Sequence, residues 1–279
     1  MRIIQPHYHG IARTTQDYQR MAYAGVVAVA EPAFWAGFDR KYPETFLDYF
    51  RQISEFEPTR AAQYGIRHYC WVAVNPKEAE NPSLSREVLR HMPEFFQKPT
   101  VLGVGETGLH KSTRNECEIF EAQIELAIKY DQLLLVHTPH LQDKLRGTKR
   151  ILEILRRAPI SPERVWIDHV EEHTIRACKD AGYWVGFTLY PITKCSPARA
   201  VDMIERYGAD RTLVNSSADW GPSDPATLHE CIFEFRRRGH SEQEAIELFH
   251  NNPARFLGQN PKFTIRPIRI EELEPTAVG

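Results

Sequence analysis

Short apolar runs alternate with longer amphipathic segments along nearly the whole of this chain of 279 residues. The apolar runs are rich in Val, Ile and aromatic residues, which is typical of buried parallel strands. This alternation predicts eight strands, at Arg2–Pro6, Gly25–Ala30, Arg67–Val72, Thr100–Val104, Leu133–Val136, Val165–Asp168, Tyr183–Thr188 and Thr212–Ser216.

The segments that follow the strands have the polarity and the boundary residues of helices. Ser85 and Ser196 are predicted to cap two of them, and glycines stand where others should end. We predict helices at Thr15–Ala24, Pro43–Tyr64, Ser85–Phe96, Glu116–Tyr130, Lys149–Arg157, Thr174–Ala181, Pro197–Tyr207 and Pro225–Arg238. Eight strands alternating with eight helices predict an α/β protein with the (β/α)8 TIM-barrel fold. A doubly wound sheet is the alternative, but the first strand is not followed by a glycine-rich turn.

The chain is predicted to form one domain with a tail. Residues 1–258 would form the barrel, including a short final helix and the stretch Asn252-Pro253-Ala254-Arg255-Phe256-Leu257. Residues 259–279 contain three prolines and scattered charges. We expect them to form an extended C-terminal tail along the surface.

Composition and charge exclude several classes of protein. Lys and Arg number 35 and Asp and Glu number 37, so the net charge of −2 excludes a protein that grips nucleic acid by charge alone. No apolar run reaches the roughly 18 residues of a membrane span, and the N-terminus lacks the apolar stretch of a signal peptide. The five cysteines are widely spaced and form no C-x-x-C pair, which favours reduced thiols and a cytoplasmic location.

Residues that can bind metal stand at the ends of five predicted strands, where barrel enzymes carry their active sites. His7 and His9 end the first strand, and their i, i+2 spacing lets both imidazoles point to one side of an extended chain. The other strand ends contribute Glu106, His137, His169 and Asp219. Each of these residues alone is more simply explained as a core, turn or capping residue. Together, four imidazoles and a carboxylate able to bridge would suffice for two divalent ions of the zinc and manganese type.

The ordered set His7-x-His9, Gly105-Glu106-Thr107-Gly108-Leu109, Val136-His137, His169 and Asp219 resembles the TatD family of metal-dependent hydrolases in the amidohydrolase superfamily. The resemblance extends from about residue 3 to residue 258. It implies that His7 and His9 hold a first metal, that Glu106 bridges, and that His137 and His169 hold a second. It further implies that Asp219 contacts the first metal and acts as general base and acid, with Zn, Mn or Mg as the ions.

The sequence departs from the family pattern around these positions. Gln5 stands where an Asp is usual, His110 replaces the Asp of a Gly-Leu-Asp run, and Ser217-Ala218 replace Glu-Thr before the final Asp. All the direct ligands are kept while their neighbours change. We therefore expect metal binding to be kept and the metal affinity and the substrate to differ.

Residues near the strand ends are candidates for substrate binding. Trp220 is suited to stack on a ring, and His140 and Arg146 belong to a basic segment, with Lys144, Lys149 and Arg150, that could meet phosphates. The same features also fit rim packing and a solvated helix face. His110 and His173 are candidate substrate contacts, extra ligands or surface residues. Glu171 and Glu172 would repel a polyanion and favour a small or neutral substrate.

Three functions follow from these observations. The first is hydrolysis of a small ester, amide or phosphoester by a metal-activated water. The second is a metal-dependent deoxyribonuclease, as the family resemblance implies. The third is a non-catalytic metal-binding barrel, suggested by the changes at Gln5, Ser217 and Ala218. A small molecule is the expected partner, nucleic acid is possible, and no membrane association or oligomeric state is indicated.

Overall fold

The structure, a computed structural model, describes residues 1–140 and 143–269. Eight parallel strands form one sheet in the order of the chain, which confirms the predicted (β/α)8 barrel. The strands are β1 (Ile3–Gln5), β2 (Val26–Pro32), β3 (Arg67–Val72), β4 (Val101–Gly108), β5 (Leu133–His137), β6 (Val165–Asp168), β7 (Trp184–Thr188) and β8 (Thr212–Asn215).

Helices pack around the sheet, and the last of them carries Phe256, whose ring lies inside the barrel. They are α1 (Thr15–Tyr23), α2 (Pro43–Arg51), α3 (Glu57–Ala62), α4 (Pro82–Phe95), α5 (Arg114–Lys129), α6 (Lys144–Arg157), α7 (Ile175–Asp180), α8 (Pro197–Tyr207), α9 (Leu228–Arg237), α10 (Glu242–Ile246) and α11 (Asn252–Leu257). A π-helical turn, Gln52–Phe56, joins α2 to α3, so the long predicted helix after the second strand is continuous but irregular.

The helix caps show where local sequence signals succeed and fail. Ser196 caps α8 as predicted, because its hydroxyl accepts a hydrogen bond from the Arg199 amide at 3.3 Å. The prediction for Ser85 is wrong. Asn81 is the cap of α4 and accepts from the Leu84 amide at 3.2 Å, since Pro82 fits the first helical position and starts the helix earlier.

The barrel closes between β8 and β1 through a short parallel contact. The Ser217 amide donates to the His7 carbonyl at 2.9 Å, and the His9 amide donates to the Ala218 carbonyl at 3.0 Å. Below them, the Gln5 side chain donates to the Ser216 hydroxyl at 3.0 Å and accepts from the Ser216 amide at 3.1 Å. Gln5, one of the departures from the family pattern, therefore joins the two end strands.

The inside of the barrel is filled by large apolar side chains below the strand ends. Trp71 and Trp166 are fully buried there. The Phe256 ring of α11 lies 6.3 Å from the Trp71 ring and 6.0 Å from the Trp166 ring, between ring centres. These rings fill the centre of the barrel with packed side chains, so the polar residues gather at the opposite, C-terminal end of the strands.

The first part of the predicted tail packs against the barrel. Phe263 is fully buried with its ring centre 4.7 Å from that of Tyr69, and the Asn260 side chain donates to the Leu102 carbonyl at 2.9 Å. Residues 270–279 of the predicted tail lie outside the described residues, and the division of the chain at residue 258 stays a prediction.

The sequence predicts reduced thiols and no membrane-spanning segment. All five cysteines are buried and free. Among the described residues, no helix is both long enough and apolar enough to cross a bilayer.

Candidate metal centre

The six residues predicted as metal ligands all lie at the C-terminal end of the barrel. His7 and His9 follow β1, Glu106 belongs to β4, His137 ends β5, His169 follows β6 and Asp219 comes after β8. His7, His9, Glu106, His137 and His169 are buried, and Asp219 is half-buried.

One carboxylate oxygen, Glu106 Oε1, is the centre of the group. It lies 3.0 Å from His169 Nε2, 3.4 Å from His7 Nε2 and 3.4 Å from His137 Nδ1. His9 Nε2 lies 3.1 Å from His7 Nε2, which extends the cluster on the β1 side. Nitrogen atoms at the ends of β1, β5 and β6 therefore meet around a single oxygen from β4.

A buried carboxylate orients the His7 ring. His7 Nδ1 donates to Asp168 Oδ2 at 2.6 Å, and Asn215 Nδ2 donates to both Asp168 oxygens, at 2.9 and 3.2 Å. This hydrogen bond places an imidazole proton on Nδ1 and turns Nε2 toward Glu106. Space for Asp168 depends on Gly186 of β7, because a Cβ atom there would lie 2.0 Å from Asp168 Oδ1.

The His169 ring is oriented in the same way by a hydroxyl. The Thr188 hydroxyl donates to Asn215 Oδ1 at 3.0 Å and therefore accepts from His169 Nδ1 at 2.7 Å. His169 Nε2 then carries a lone pair toward Glu106. The His169 backbone has φ 58°, a left-handed conformation that interrupts the strand alternation, so that both Asp168 and His169 point to the centre of the barrel.

Electrostatics favour a cation among these donors. Burial lowers the pKa of His9, His137 and His169 well below the usual value, so these imidazoles are neutral near pH 7. The lone pair of His169 Nε2 then faces Glu106 Oε1, and His7 Nε2 and His137 Nδ1 lie close to the same oxygen. His137 Nε2 is buried without a hydrogen-bond partner among the described residues. This arrangement is unfavourable on its own and fits a divalent ion, whose preferred ligands are neutral imidazole and carboxylate.

Asp219 is held by one of its two carboxylate oxygens. Asp219 Oδ1 accepts from the Tyr190 hydroxyl at 2.9 Å and from the Gly221 amide at 2.7 Å. Position 221 must be glycine for this contact, since a Cβ atom would lie 2.0 Å from the Tyr190 oxygen. Asp219 Oδ2 makes no hydrogen bond to any described residue and is available to a metal or a proton.

The mouth of the site is a recess lined by aromatic rings and two lysines. Trp220 is 50 % exposed and lies beside Phe34 and Trp35, with Lys77 and Lys194 on the recess wall. His140, predicted to contact substrate, also lines the recess. The ring centre of His110 lies 6.2 Å from that of His140, just behind the lining.

Other predicted contacts lie away from the recess. His173 is exposed, and Arg146 is exposed and pairs with Asp143 at 2.6 Å. Neither residue lines the recess. Lys144, expected in the basic segment, is fully buried instead, and its ammonium donates to the Thr138 hydroxyl at 2.9 Å and the His169 carbonyl at 2.6 Å.

Glu171 and Glu172, which the sequence predicts at the mouth of the site, also lie away from the recess. Arg199 donates to both carboxylate oxygens of Glu172, each at 2.7 Å, and neither Glu171 nor Glu172 lines the recess. The electrostatic argument for a neutral substrate is therefore removed.

Several residues of the site were missed by the sequence analysis. Asp168 adjoins His169 and offered a signal, but alternation within a strand predicts that neighbours point to opposite faces. Asn75, which donates to Glu106 Oε2 at 3.1 Å, follows β3 and could have been noticed as a polar residue near a strand end. Tyr190 and Lys194 lie in an irregular loop after β7 with no local pattern.

Comparison with known proteins agrees with this geometry. The family model described as "TatD related DNase" matches residues 15–257. An uncharacterised metal-dependent hydrolase of Methanocaldococcus jannaschii is 27 % identical over 256 residues, covering 91 % of this chain and 99 % of that protein.

Solved structures share the same architecture. A TatD-like protein from Archaeoglobus fulgidus has a TM-score of 0.77 at 27 % identity, with 91 % of this chain and 99 % of that chain covered. The phosphotriesterase homology protein of Escherichia coli, complexed with phosphate in its active site, has a TM-score of 0.64 at 15 % identity over 91 % of this chain and 98 % of its own. The latter likeness shows the fold alone.

The family match covers most of the barrel, and the metal-binding residue types stand where the fold gathers them. The chain belongs to the TatD-related DNase family and is a TatD-like metal-dependent hydrolase.

Proposed function

We propose that the protein hydrolyses a small ester, amide or phosphoester with a metal-activated water. The observation that supports this most is the convergence of three histidine nitrogens within 3.4 Å of Glu106 Oε1. In this proposal His7, His9, Glu106, His137, His169 and Asp219 bind up to two ions, with Zn, Mn or Mg as the candidates. Bound there, a divalent ion would polarise the substrate and activate a water.

The protein residues have distinct parts in this reaction. Asp168 and Thr188 fix the ring orientation of His7 and His169, so that their Nε2 atoms face the site before any ligand arrives. Asp219 Oδ2 takes a proton from the attacking water and returns it to the leaving group, which balances the hydrolysis. Tyr190 holds the other oxygen of this carboxylate and keeps it in one orientation.

Hydrolysis of nucleic-acid phosphodiesters is the second candidate. It is supported by the family description and by two lysines in the recess. The exposed basic segment gives it less support, because Lys144 is buried and Arg146 is paired with Asp143. The third sequence-based alternative, a barrel without catalysis, is not supported by membership of a hydrolase family.

The test combines metal content with turnover. Purified protein is stripped with a chelator, reloaded separately with Zn, Mn or Mg, and assayed on 4-nitrophenyl acetate, 4-nitrophenyl phosphate and single-stranded DNA. We expect Asp219→Asn to lose more than about 100-fold in turnover, and Asp202→Asn, an exposed carboxylate on α8, to behave as wild type. The proposal fails if the loaded wild type holds less than one ion per chain, or if Asp219→Asn is as active as wild type.

A further inference from the structure

Two lysine ammonium groups reach the recess without an acidic partner. Lys77 follows β3 and Lys194 follows β7, and both are half-buried. Among residues 1–140 and 143–269, no carboxylate oxygen lies within 4 Å of either ammonium nitrogen. The Lys77 ammonium lies 4.8 Å from the centre of the Trp35 ring, and the Lys194 ammonium lies 4.6 Å from the centre of the Tyr190 ring.

The carboxylates that share the recess are already engaged. Glu106 faces three histidines and Asn75, and Asp219 faces Tyr190 and Gly221. They attract Lys194 through space, but burial still lowers its pKa. A half-buried ammonium without a direct acidic partner is suited to pair with an oxyanion supplied by a ligand.

Aromatic rings also line the recess. The His9 and Phe34 rings stack at 3.9 Å, and Phe34 lies 5.1 Å from Trp220 between ring centres. Trp35 lies 5.9 Å from Trp220. This row of rings begins at a candidate metal ligand and ends at a half-exposed indole, so it leads directly from the reacting centre to the solvent.

Trp220 is 50 % exposed to solvent. The neighbouring loop approaches it with a glycine, Gly37, where a Cβ atom would already be in van der Waals contact with the indole at 3.9 Å. A half-exposed tryptophan beside a polar site is suited to stack on a flat ring of a ligand.

We propose that the substrate is a small ring-bearing oxyanion, whose phosphate or carboxylate is recognised by Lys77 and Lys194 and whose ring stacks on Trp220. This inference rests on the proposed hydrolase function and names the substrate class for the same site. It narrows the small ester, amide or phosphoester expected from the sequence to an anionic one.

Binding measurements test the inference separately from catalysis. Isothermal titration calorimetry on the metal-loaded Asp219→Asn protein, in which turnover should be slow, compares phenyl phosphate, benzoate, inorganic phosphate and phenol. Phenyl phosphate or benzoate should bind at least about tenfold more tightly than phenol, because charge-assisted hydrogen bonds are strong in a recess. Whether phenyl phosphate or benzoate binds more tightly shows whether the site prefers a phosphate or a carboxylate. Phenol binding as tightly as both would overturn the proposal.

Matched variants test which residues bind the oxyanion of the ligand and which residue binds its ring. Lys194→Gln and Lys77→Gln should each weaken phenyl phosphate about 5- to 30-fold, whereas the exposed Lys149→Gln should not. Trp220→Leu should weaken phenyl phosphate about 5- to 30-fold and leave inorganic phosphate unchanged. Tyr23→Ala, at an exposed ring on α1, is the control for Trp220.

Two results would contradict the assignment. One is that Trp220→Leu weakens both phosphates equally, and the other is that both lysine variants bind phenyl phosphate as wild type. Circular dichroism confirms that each variant is folded. Metal content and turnover are scored apart, so failure of the hydrolase proposal appears as missing metal or missing turnover, and failure of the substrate proposal appears in the binding comparisons.

Discussion

Asp168→Asn is the substitution that most directly tests how the metal centre is built. Asp168 is fully buried, accepts from His7 Nδ1 at 2.6 Å and accepts from Asn215 Nδ2 at 2.9 and 3.2 Å. An asparagine has one oxygen and one amino group at this position. In either orientation of the amide, its NH2 group faces another donor, from His7 or from Asn215.

The magnitude follows from this mismatch. A buried donor without an acceptor costs about 1–3 kcal/mol, so the metal-free variant should unfold more easily by that amount. Loss of a residue that orients a metal-bound histidine typically lowers metal affinity about 10- to 100-fold, equal to roughly 1.4–2.7 kcal/mol. We expect His7 to lose its fixed tautomer and zinc affinity to fall within this range.

The assay is a zinc titration against a competing chelator of known affinity, with stability measured by urea unfolding of the metal-free protein. Asp48→Asn is the matched control, because its carboxylate is 75 % exposed on α2. Gly186→Ala approaches the same contact from the other side, since its new methyl carbon would displace Asp168 Oδ1. The reasoning is refuted if folded Asp168→Asn binds zinc with the affinity and stoichiometry of wild type.

Three further predictions concern other parts of the molecule. Tyr190→Phe should lower kcat about 3- to 10-fold with little change in KM, because it removes one hydrogen bond that orients Asp219, and steady-state kinetics on the best substrate measure it; an unchanged kcat would contradict the role. Burial lowers the pKa of Lys144 to about 8. At pH values between that pKa and the usual pKa of lysine, the unfolded chain therefore binds more protons than the folded chain. The free energy of unfolding of the metal-free protein should rise with pH across this window by up to about 1.4 kcal/mol per pH unit. Urea unfolding at several pH values should show this rise, and Lys144→Met should lose it; the same slope in both proteins would count against the assignment. Phe263→Ala should destabilise the fold by about 3–5 kcal/mol, because its fully buried ring packs on Tyr69, and thermal unfolding measures this; a loss below about 1 kcal/mol would show that the segment is only loosely docked.

Local patterns in the sequence predicted most of the fold. Strand β3 and strand β6 have the predicted bounds, and the other strands differ mainly at their ends. Buried parallel strands are recognisable because both faces are covered, so their apolar runs are almost continuous. Predictions failed where neighbouring signals compete, as at α4, where Asn81 with Pro82 starts the helix before Ser85.

The charge around the recess could not be predicted from sequence position. Glu172 follows a strand end but turns to Arg199, and Lys144 turns inward to the His169 carbonyl. A long charged side chain can reach in several directions, and its partner is set by residues distant in sequence. Lys194 is the opposite case, because it lies in an irregular loop that gives no local signal and yet it lines the recess.

The sequence by itself determined that the chain forms a barrel and that histidines and carboxylates stand at its strand ends, because strand periodicity and strand termini are local properties. Only the tertiary structure decided that Glu106 Oε1 is the point where three histidines meet, and that Asp168, Thr188 and Asn215 orient two of them, His7 and His169. Those contacts join strands that are far apart in the sequence. Their distances depend on how the barrel closes and on the left-handed backbone of His169, which no local pattern encodes.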